Sequence, residues 1–148
     1  MKRSNTRAPV PASARRTLLA DRAADGGWPV ARGGDSDSNL TASGISAAIA
    51  LRIGPRSAIV NRAIASLRPF RSGGGYALFA GGRADAQSTA WVLSGLAAAR
   101  RTDRAAERWL AALQYRDGSY AYQRGQRITP VWVTAQAAMG LEIGRAHV

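Results

Sequence analysis

The sequence predicts an all-α protein built from three copies of one helical hairpin. Two observations carry this prediction, and both recur along the chain. A Gly-rich turn ending in an aromatic residue occurs three times, at Asp25-Gly26-Gly27-Trp28, Gly73-Gly74-Gly75-Tyr76 and Asp117-Gly118-Ser119-Tyr120. A Thr-Ala pair follows each turn, at Thr41-Ala42, Thr89-Ala90 and Thr134-Ala135. The turn aromatics are 48 and 44 residues apart and the Thr-Ala pairs 48 and 45 apart, which is typical of stacked helical repeats.

The first hairpin is predicted over residues 12–53. A first helix over residues 12–24 presents Leu18 and Leu19 as apolar anchors, and a long turn containing Trp28 follows. Apolar residues then recur at spacings of three and four, which predicts a second helix over residues 40–53. Either Asn39 or Thr41 is expected to cap this helix, because both are favoured N-cap residues.

The second hairpin is predicted over residues 55–99. Pro55 suits the first turn of a helix over residues 55–68, and the Pro69 and Gly-rich segment after it stops that helix. Residues 76–85 are predicted to form a loop, with a short β-hairpin as an alternative. A helix over residues 87–99 completes the unit, and its many small residues favour close approach of neighbouring helices.

The third hairpin is predicted over residues 102–141. Thr102 caps or precedes a helix over residues 103–115, and Asp117-Gly118 breaks the chain after it. The last helix begins at Pro130 or Val131 and is predicted to end at Leu141.

Both ends of the sequence are set apart from the repeats. Residues 1–11 are predicted to be a disordered or artificial lead, because Pro9 and Pro11 oppose a helix. Residues 142–148 match the translation of a widely used sequencing adapter, so we interpret them as an artefact and expect the genuine chain to continue past Leu141. The alternative is an ordinary helix end. His147, the single histidine, would then not belong to the protein.

Composition is typical of one globular domain with a real core. The 148 residues are 46% hydrophobic, without cysteine and without an apolar run long enough for a membrane span. The net charge of +12 raises the alternative of an Arg-rich nucleic-acid binder. However, Lys2 is the single lysine, and the arginines are scattered without interleaved aromatics. We therefore favour solvated helix faces in a protein from a GC-rich genome.

Part of the third hairpin resembles the QW motif of squalene–hopene and oxidosqualene cyclases. The matching residues are Arg104-Ala105-x3-Trp109-Leu110-x3-Gln114-x3-Gly118-Ser119-Tyr120, with Tyr where Trp is usual. Ser88-Thr89-Ala90-Trp91 is similar to the start of an inner helix in the same superfamily, which includes protein prenyltransferase β subunits. The resemblance implies an open, partial α/α toroid with outer and inner helices. It also implies a structural role, in which the Gln ties an outer helix to the next turn, for Trp28, Tyr76, Trp109, Gln114, Gly118 and Tyr120.

The resemblance does not extend to the residues that perform catalysis in those enzymes. Cyclases use the middle Asp of an Asp-x-Asp-Asp sequence directly before Thr-Ala as a proton donor. Here those positions hold Asp37-Ser38-Asn39-Leu40 and Asp85-Ala86-Gln87-Ser88, with an amide in place of the acid. The prenyltransferases bind zinc through Asp, Cys and His, but this sequence has no Cys and its single His, His147, lies in the segment interpreted as an artefact. We therefore predict no catalytic residue, cofactor or metal, and interpret Asp37 and Asp85 as solvated turn or cap carboxylates.

A ligand cavity is predicted at the inner face instead. Trp91 and Trp132 lie near the starts of inner helices, where aromatic rings could line an apolar cavity. We favour the alternative that both rings pack against adjacent hairpins, since large aromatic side chains mostly serve packing. The remaining candidates for a cavity are Tyr122, Asp37, Asn39, Asp85 and Gln87.

These observations predict a noncatalytic binding or scaffold domain with an apolar concave face. The expected partner is an apolar or isoprenoid ligand. Three hairpins do not close a toroid, so Ile45, Ile49, Val133 and Met139 are expected to be partly exposed until further repeats or a second copy cover them. The alternative is a fragment of a class II terpene cyclase that lacks its catalytic half.

Overall fold

The computed structural model describes residues 11–145, and α-helices form most of that part of the chain. The helices are α1 (Ala12–Ala20), α2 (Ser38–Ala50), α3 (Ala58–Ala65), α4 (Ala86–Ala98), α5 (Arg104–Ala111) and α6 (Pro130–Arg145). A 3-10 turn, Arg68–Phe70, leads into strands β1 (Arg71–Ser72) and β2 (Gly75–Tyr76), which pair antiparallel with Arg71 opposite Tyr76. The all-α prediction is therefore confirmed. Of the predicted lead, residues 1–11, only Pro11 is among the described residues. His147 also lies outside them.

The second helices of the three hairpins form one layer, and we call α2, α4 and α6 the central helices. Helix α4 lies in the middle and packs against α2 on one side and α6 on the other. Helix α3 packs on α2, and α5 packs on α4. The apolar core runs through this arrangement and includes Ile45, Val92 and Val133, all fully buried. No helix in the described part of the chain is both long and apolar enough to cross a membrane.

One hydrogen bond recurs in every hairpin and joins the turn to the central helix. The backbone N–H of the turn aromatic donates to a Thr hydroxyl 13 or 14 residues later. The three pairs and their N···O distances are Trp28 to Thr41 at 3.1 Å, Tyr76 to Thr89 at 2.9 Å, and Tyr120 to Thr134 at 2.9 Å. Two residues before each aromatic, a glycine has a left-handed φ of 98°, 101° or 86°, which turns the chain toward the helix. We call this device the turn–threonine bond.

The central helices approach one another through glycine. A Cβ added at Gly95 of α4 would lie 2.7 Å from the carbonyl oxygen of Ala42 in α2. A Cβ added at Gly140 of α6 would likewise lie 2.8 Å from the Cα of Ala90 in α4. Each glycine follows the Thr of its own hairpin by six residues, and each alanine follows the Thr of the preceding hairpin by one. The same contact is therefore repeated between successive central helices.

The predicted helix ends differ from those in the structure. Helix α1 stops at Ala20 rather than residue 24, because Asp21 closes its last turn and the chain bends toward Gly26. Helix α3 starts at Ala58, not Pro55, because residues 54–57 form a turn and the Ser57 hydroxyl caps it. Helix α5 ends at Ala111 instead of residue 115, after which the Gly118 turn begins.

Two further boundary predictions were wrong in detail. The short β-hairpin lies at residues 71–76, before the predicted loop, because Gly73 and Gly74 have the positive φ values that its tight turn requires. Helix α6 continues beyond Leu141 to Arg145. The residues interpreted as an artefact thus begin inside a helix, and residues 146–148 lie outside the described part of the chain.

The expected exposure of the central helices was also wrong at two positions. Ile45 and Val133 are fully buried, because α4 covers both of them from its two sides. Ile49 is partly buried, while Met139 is exposed as expected. The large exposed apolar residues of the central helices are Trp91 of α4 and Val131, Trp132 and Met139 of α6.

Removing one turn–threonine bond should destabilise the fold. In Thr89→Val, the buried N–H of Tyr76 loses its acceptor while the side-chain shape is kept, so we expect the free energy of unfolding to fall by about 1–3 kcal/mol. Urea denaturation measures this change. Thr89→Ser retains the hydroxyl and should lose distinctly less. Equal losses in the two variants would contradict a role for the hydroxyl.

Candidate apolar ligand site

A cavity of about 410 Å³ lies between α4 and α6. The side of α4 supplies Ala90, Trp91 and Ser94, and α6 supplies the rest of the lining. The α6 residues are Trp132, Ala135, Gln136, Met139 and Ile143. Since these recur at spacings of three and four, they form one stripe along the helix. The structure thus brings Trp91 and Trp132 together, although they are far apart in the sequence.

The two tryptophans are exposed, unlike the aromatic residue of the first turn. Trp91 is 39% exposed and Trp132 is 52% exposed, whereas Trp28 is only 5% exposed. Large aromatic side chains normally bury most of their surface in a core. Both rings lie between adjacent hairpins and are only partly covered there, so each leaves part of its surface open to the cavity.

Asp37 and Asp85 begin two of the central helices as N-caps. An oxygen of Asp37 accepts from the backbone N–H of Leu40 at 2.7 Å, and Asp85 accepts from the N–H of Ser88 at the same distance. The second oxygen of Asp85 accepts from the Ser88 hydroxyl at 2.9 Å. Both residues are buried, with 4% and 3% exposure. The two residues act as caps, but the expectation of solvated carboxylates was wrong. A loop of the next hairpin lies over each helix start, where the Leu78 carbonyl oxygen accepts from the N–H of Ser38 and the Tyr122 carbonyl oxygen accepts from the N–H of Ala86.

The cap of α2 is therefore neither Asn39 nor Thr41. Asn39 lies in the first turn of the helix, where its side-chain oxygen accepts from the Ser38 hydroxyl at 3.3 Å. The Thr41 hydroxyl is committed to the turn–threonine bond of Trp28. All three residue types are good caps, so only the extended backbone of Asp37 distinguishes it.

Burial changes the acidity of Asp85 and its neighbour Tyr122. Burial raises the pKa of Asp85 above its usual value, although the hydrogen bonds from Ser88 oppose the rise. The pKa of Tyr122 is raised as well, first by burial and then by the negative charge of Asp85. The Tyr122 carbonyl oxygen accepts from the N–H of Ala86 at 2.8 Å, which places its loop over the start of α4.

The polar candidates do not converge on the tryptophan cavity. Tyr122, Asp37, Asn39, Asp85 and Gln87 are all absent from its lining, and Gln87 is half-buried in the first turn of α4. Sequence reasoning missed Gln136 and Met139, which do line it. Their spacing from Trp132, four and seven residues along the same helix, is the signal that could have identified them.

The aromatic and glutamine residues of the QW-like motif hold turns against helices. The Trp28 indole donates to the Leu18 carbonyl oxygen at 2.9 Å, and the Trp109 ring lies over Gly74 and Gly75. The Gln114 amide donates to the Gly118 carbonyl oxygen at 3.2 Å, a bond that joins the end of α5 to the next turn. Tyr120 is buried and pairs with Gln114 in an isolated antiparallel bridge.

Tyr76 belongs to a polar cluster that fastens β2 to the start of α5. Its hydroxyl donates to Asp103 at 2.8 Å, and Arg71 contacts both the Asp103 carboxylate and the Tyr76 ring. Burial, together with the Asp103 carboxylate, raises the pKa of Tyr76 to about 12. Asp103 also caps α5 by accepting from the N–H of Ala106.

Several arginines are paired rather than gathered into a basic stripe. Within residues 11–145, ion pairs join Arg32 to Asp21, Arg71 to Asp103, Arg104 to Glu107 and Arg127 to Asp117. These pairs lie on different elements, and each arginine side chain is well exposed. In the same range, no group of three or more His, Cys, Asp or Glu residues is placed to hold a metal ion.

Comparison with known proteins adds no family to this geometry. No protein-family model matches the chain, and no curated protein matches it significantly.

The raised pKa of Asp85 predicts a pH-dependent stability difference. The folded chain holds this proton more tightly than the unfolded chain, so its contribution to stability is fully present below 3.8 and is lost as the pH rises through the folded pKa. Relative to Asp85→Asn, which cannot titrate here, the wild type should therefore lose stability as the pH rises above 3.8, the usual pKa of Asp. Urea denaturation of both proteins at a series of pH values measures the difference. A difference that is constant or grows with pH would contradict the burial argument.

Proposed function

We propose that this chain is a noncatalytic repeat domain of the α/α-toroid type that binds an isoprenoid alcohol in the cavity between α4 and α6. The single observation that carries the proposal is the pair of exposed tryptophans, Trp91 and Trp132, in one cavity. Its volume of about 410 Å³ is within the ~300–1,000 Å³ range of small-molecule sites.

The lining supports an apolar ligand. Two indole rings, Met139 and Ile143 offer apolar contact area, and no charged residue lies among the described residues of the lining. A branched hydrocarbon chain fits such a surface, because it gains from leaving water and makes no demand for polar partners. A charged ligand would lose its hydration at this site without compensation.

One polar group supports a hydroxyl on that ligand. The amide oxygen of Gln136 is buried and has no hydrogen-bond partner among the described residues. Buried polar atoms without partners are rare in proteins, so this oxygen suits a hydroxyl donor. A terminal alcohol can donate its hydroxyl hydrogen to the Gln136 amide oxygen. A diphosphate would instead place negatively charged oxygens next to this acceptor, which is unfavourable.

The caps support binding without proton-transfer catalysis. The carboxylates that precede the Thr residues, Asp37 and Asp85, each accept a hydrogen bond from their helix N-terminus. The positions where the resembling cyclases carry their acid hold Asn39 and Gln87, and an amide does not supply a proton at useful acidity. Neither carboxylate lines the tryptophan cavity.

Binding of farnesol tests the proposal, measured by isothermal titration calorimetry. Trp91→Ala and Trp132→Ala should each weaken binding about tenfold or more, because each removes ~1.5–3 kcal/mol of apolar contact. Phe79→Ala is the matched control, since Phe79 is an exposed aromatic outside the cavity lining. Equal binding by all three variants would contradict the site.

The role of Gln136 is tested with the hydrocarbon that lacks the hydroxyl. Wild type should prefer farnesol over the triene of the same carbon skeleton that lacks the hydroxyl, and Gln136→Leu should lose that preference while keeping affinity for the hydrocarbon. Formation of a cyclic product from squalene or geranylgeranyl diphosphate by the wild-type chain would instead support the cyclase alternative.

A further inference from the structure

The two sides of each central helix are built for different neighbours. The forward side receives the next central helix, and the backward side lies on the preceding one. On α4, the forward side comprises Ala86, Ala90 and Leu93, all of them buried. Ala90 packs closely against Gly140 of α6. The backward side of α4 includes Val92, fully buried, and Gly95, which lies on Ala42 of α2.

The forward side of α6 is open. Its residues at the equivalent positions are Val131, Ala135 and Ala138, each exposed, where α4 has Ala86, Ala90 and Leu93 buried. The positions match because Thr134 of α6 corresponds to Thr89 of α4 through the turn–threonine bond. The forward side of α2 contacts α4, and the forward side of α4 contacts α6. The equivalent side of α6 is a third surface of the same kind.

The backward side of α2 is open as well. Leu40 and Ala47 are only half-buried, although the equivalent residues of α6, Val133 and Gly140, are buried. A groove of about 290 Å³ runs beside them, bordered by Leu18 of α1. Helix α1 buries none of its residues, unlike α3 and α5. The groove and the exposure of α1 together indicate that a further helix could pack between α1 and α2.

The packing of the other hairpins identifies the kind of helix that this groove takes. Helix α2 packs against α3 and α4, and α4 packs against α5 and α6. In each case, one central helix lies beside the first and second helices of the next hairpin. Helices α1 and α2 are likewise the first and second helices of a hairpin, and the groove lies between them. Within residues 11–145, α6 is the central helix that has no following hairpin to pack against.

We propose that copies of this chain associate head to tail, with the forward side of α6 in one copy seated in the groove between α1 and α2 of the next. The contact continues the packing already present between α2, α4 and α6. It joins two different surfaces, so a dimer still has one open groove, on one copy, and one open α6 side, on the other. Ala135 belongs to both surfaces, because it also lines the tryptophan cavity. Ala47 and Ala138 lie outside that cavity, so substitutions at these two positions test association separately from ligand binding.

Ala47 sets the strength of this contact. It occupies the position of Gly95 and Gly140, where an added Cβ approaches the neighbouring helix backbone to within 3.0 Å. Its methyl group holds the incoming α6 away, so association is weaker than the contacts within the chain. Ala47→Gly should therefore tighten association roughly tenfold. Ala50→Gly, an exposed change in the same helix outside the groove, is the control and should not tighten it.

Sedimentation velocity of the full chain, up to millimolar concentration, tests the proposal. Wild type should associate as concentration rises, whereas Ala138→Arg and Ala47→Arg should each be monomeric. An equimolar mixture of the two Arg variants should form a dimer and stop there, since one groove and one α6 side remain intact. Dimerisation in the mixture also shows that both variants are folded.

Three results would overturn the proposal. A wild type that stays monomeric at every concentration would mean that another chain or segment covers these surfaces. Continued dimerisation of Ala47→Arg alone would indicate symmetric pairing of two α6 helices. A mixture that remains monomeric, with both variants showing wild-type circular dichroism, would exclude head-to-tail contact.

Discussion

The turn–threonine bond is the constraint on which the rest of the structure depends. A backbone N–H that is buried without an acceptor carries a substantial free-energy cost, and the turn aromatic buries its own N–H by entering the core. The Thr hydroxyl supplies the acceptor from the adjacent central helix. Because the hydroxyl occupies a fixed place on that helix, the bond also sets how the helix is rotated beneath its turn.

That rotation determines what each central helix presents to its neighbours. With Thr89 directed at the turn, Ala90 meets Gly140 of α6, while Gly95 on the opposite side meets Ala42 of α2. Trp91 is left partly exposed, in the lining of the same cavity as Trp132. The cavity and the two open end surfaces are therefore consequences of the same register.

The sequence was informative where a pattern repeats and uninformative where geometry decides between equivalent residues. Gly-aromatic turns and Thr-Ala pairs identified the three hairpins, because three occurrences in phase do not arise from helix propensity alone. Helix ends were less predictable: residues 21–24 fit a helix as well as a turn, and Asp37, Asn39 and Thr41 are comparable caps. The Trp91 and Trp132 pair was predicted from helix starts. The spacing of Gln136 from Trp132 places both on one side of α6, but the burial of the Gln136 amide oxygen depends on side-chain packing that the sequence does not specify.

The resemblance to cyclases and the structural chemistry point to different parts of the molecule. The resembling residues, such as Trp109 and Gln114, hold turns and helices together. The carboxylates that lie near the expected acid position are caps, and the exposed apolar residues lie along α4 and α6. A hairpin that is stabilised by local bonds can keep its architecture while its concave surface changes, which is the separation of fold from function seen in repeat proteins.

Amide hydrogen exchange, followed by nuclear magnetic resonance, tests the central claim most directly. The N–H groups of Trp28, Tyr76 and Tyr120 each follow an exposed or Gly-rich turn, where backbone amides ordinarily exchange quickly. If each is held by a Thr hydroxyl, all three should exchange as slowly as amides in the middle of α4. Fast, loop-like exchange at any of the three would contradict a fold organised by one repeated bond.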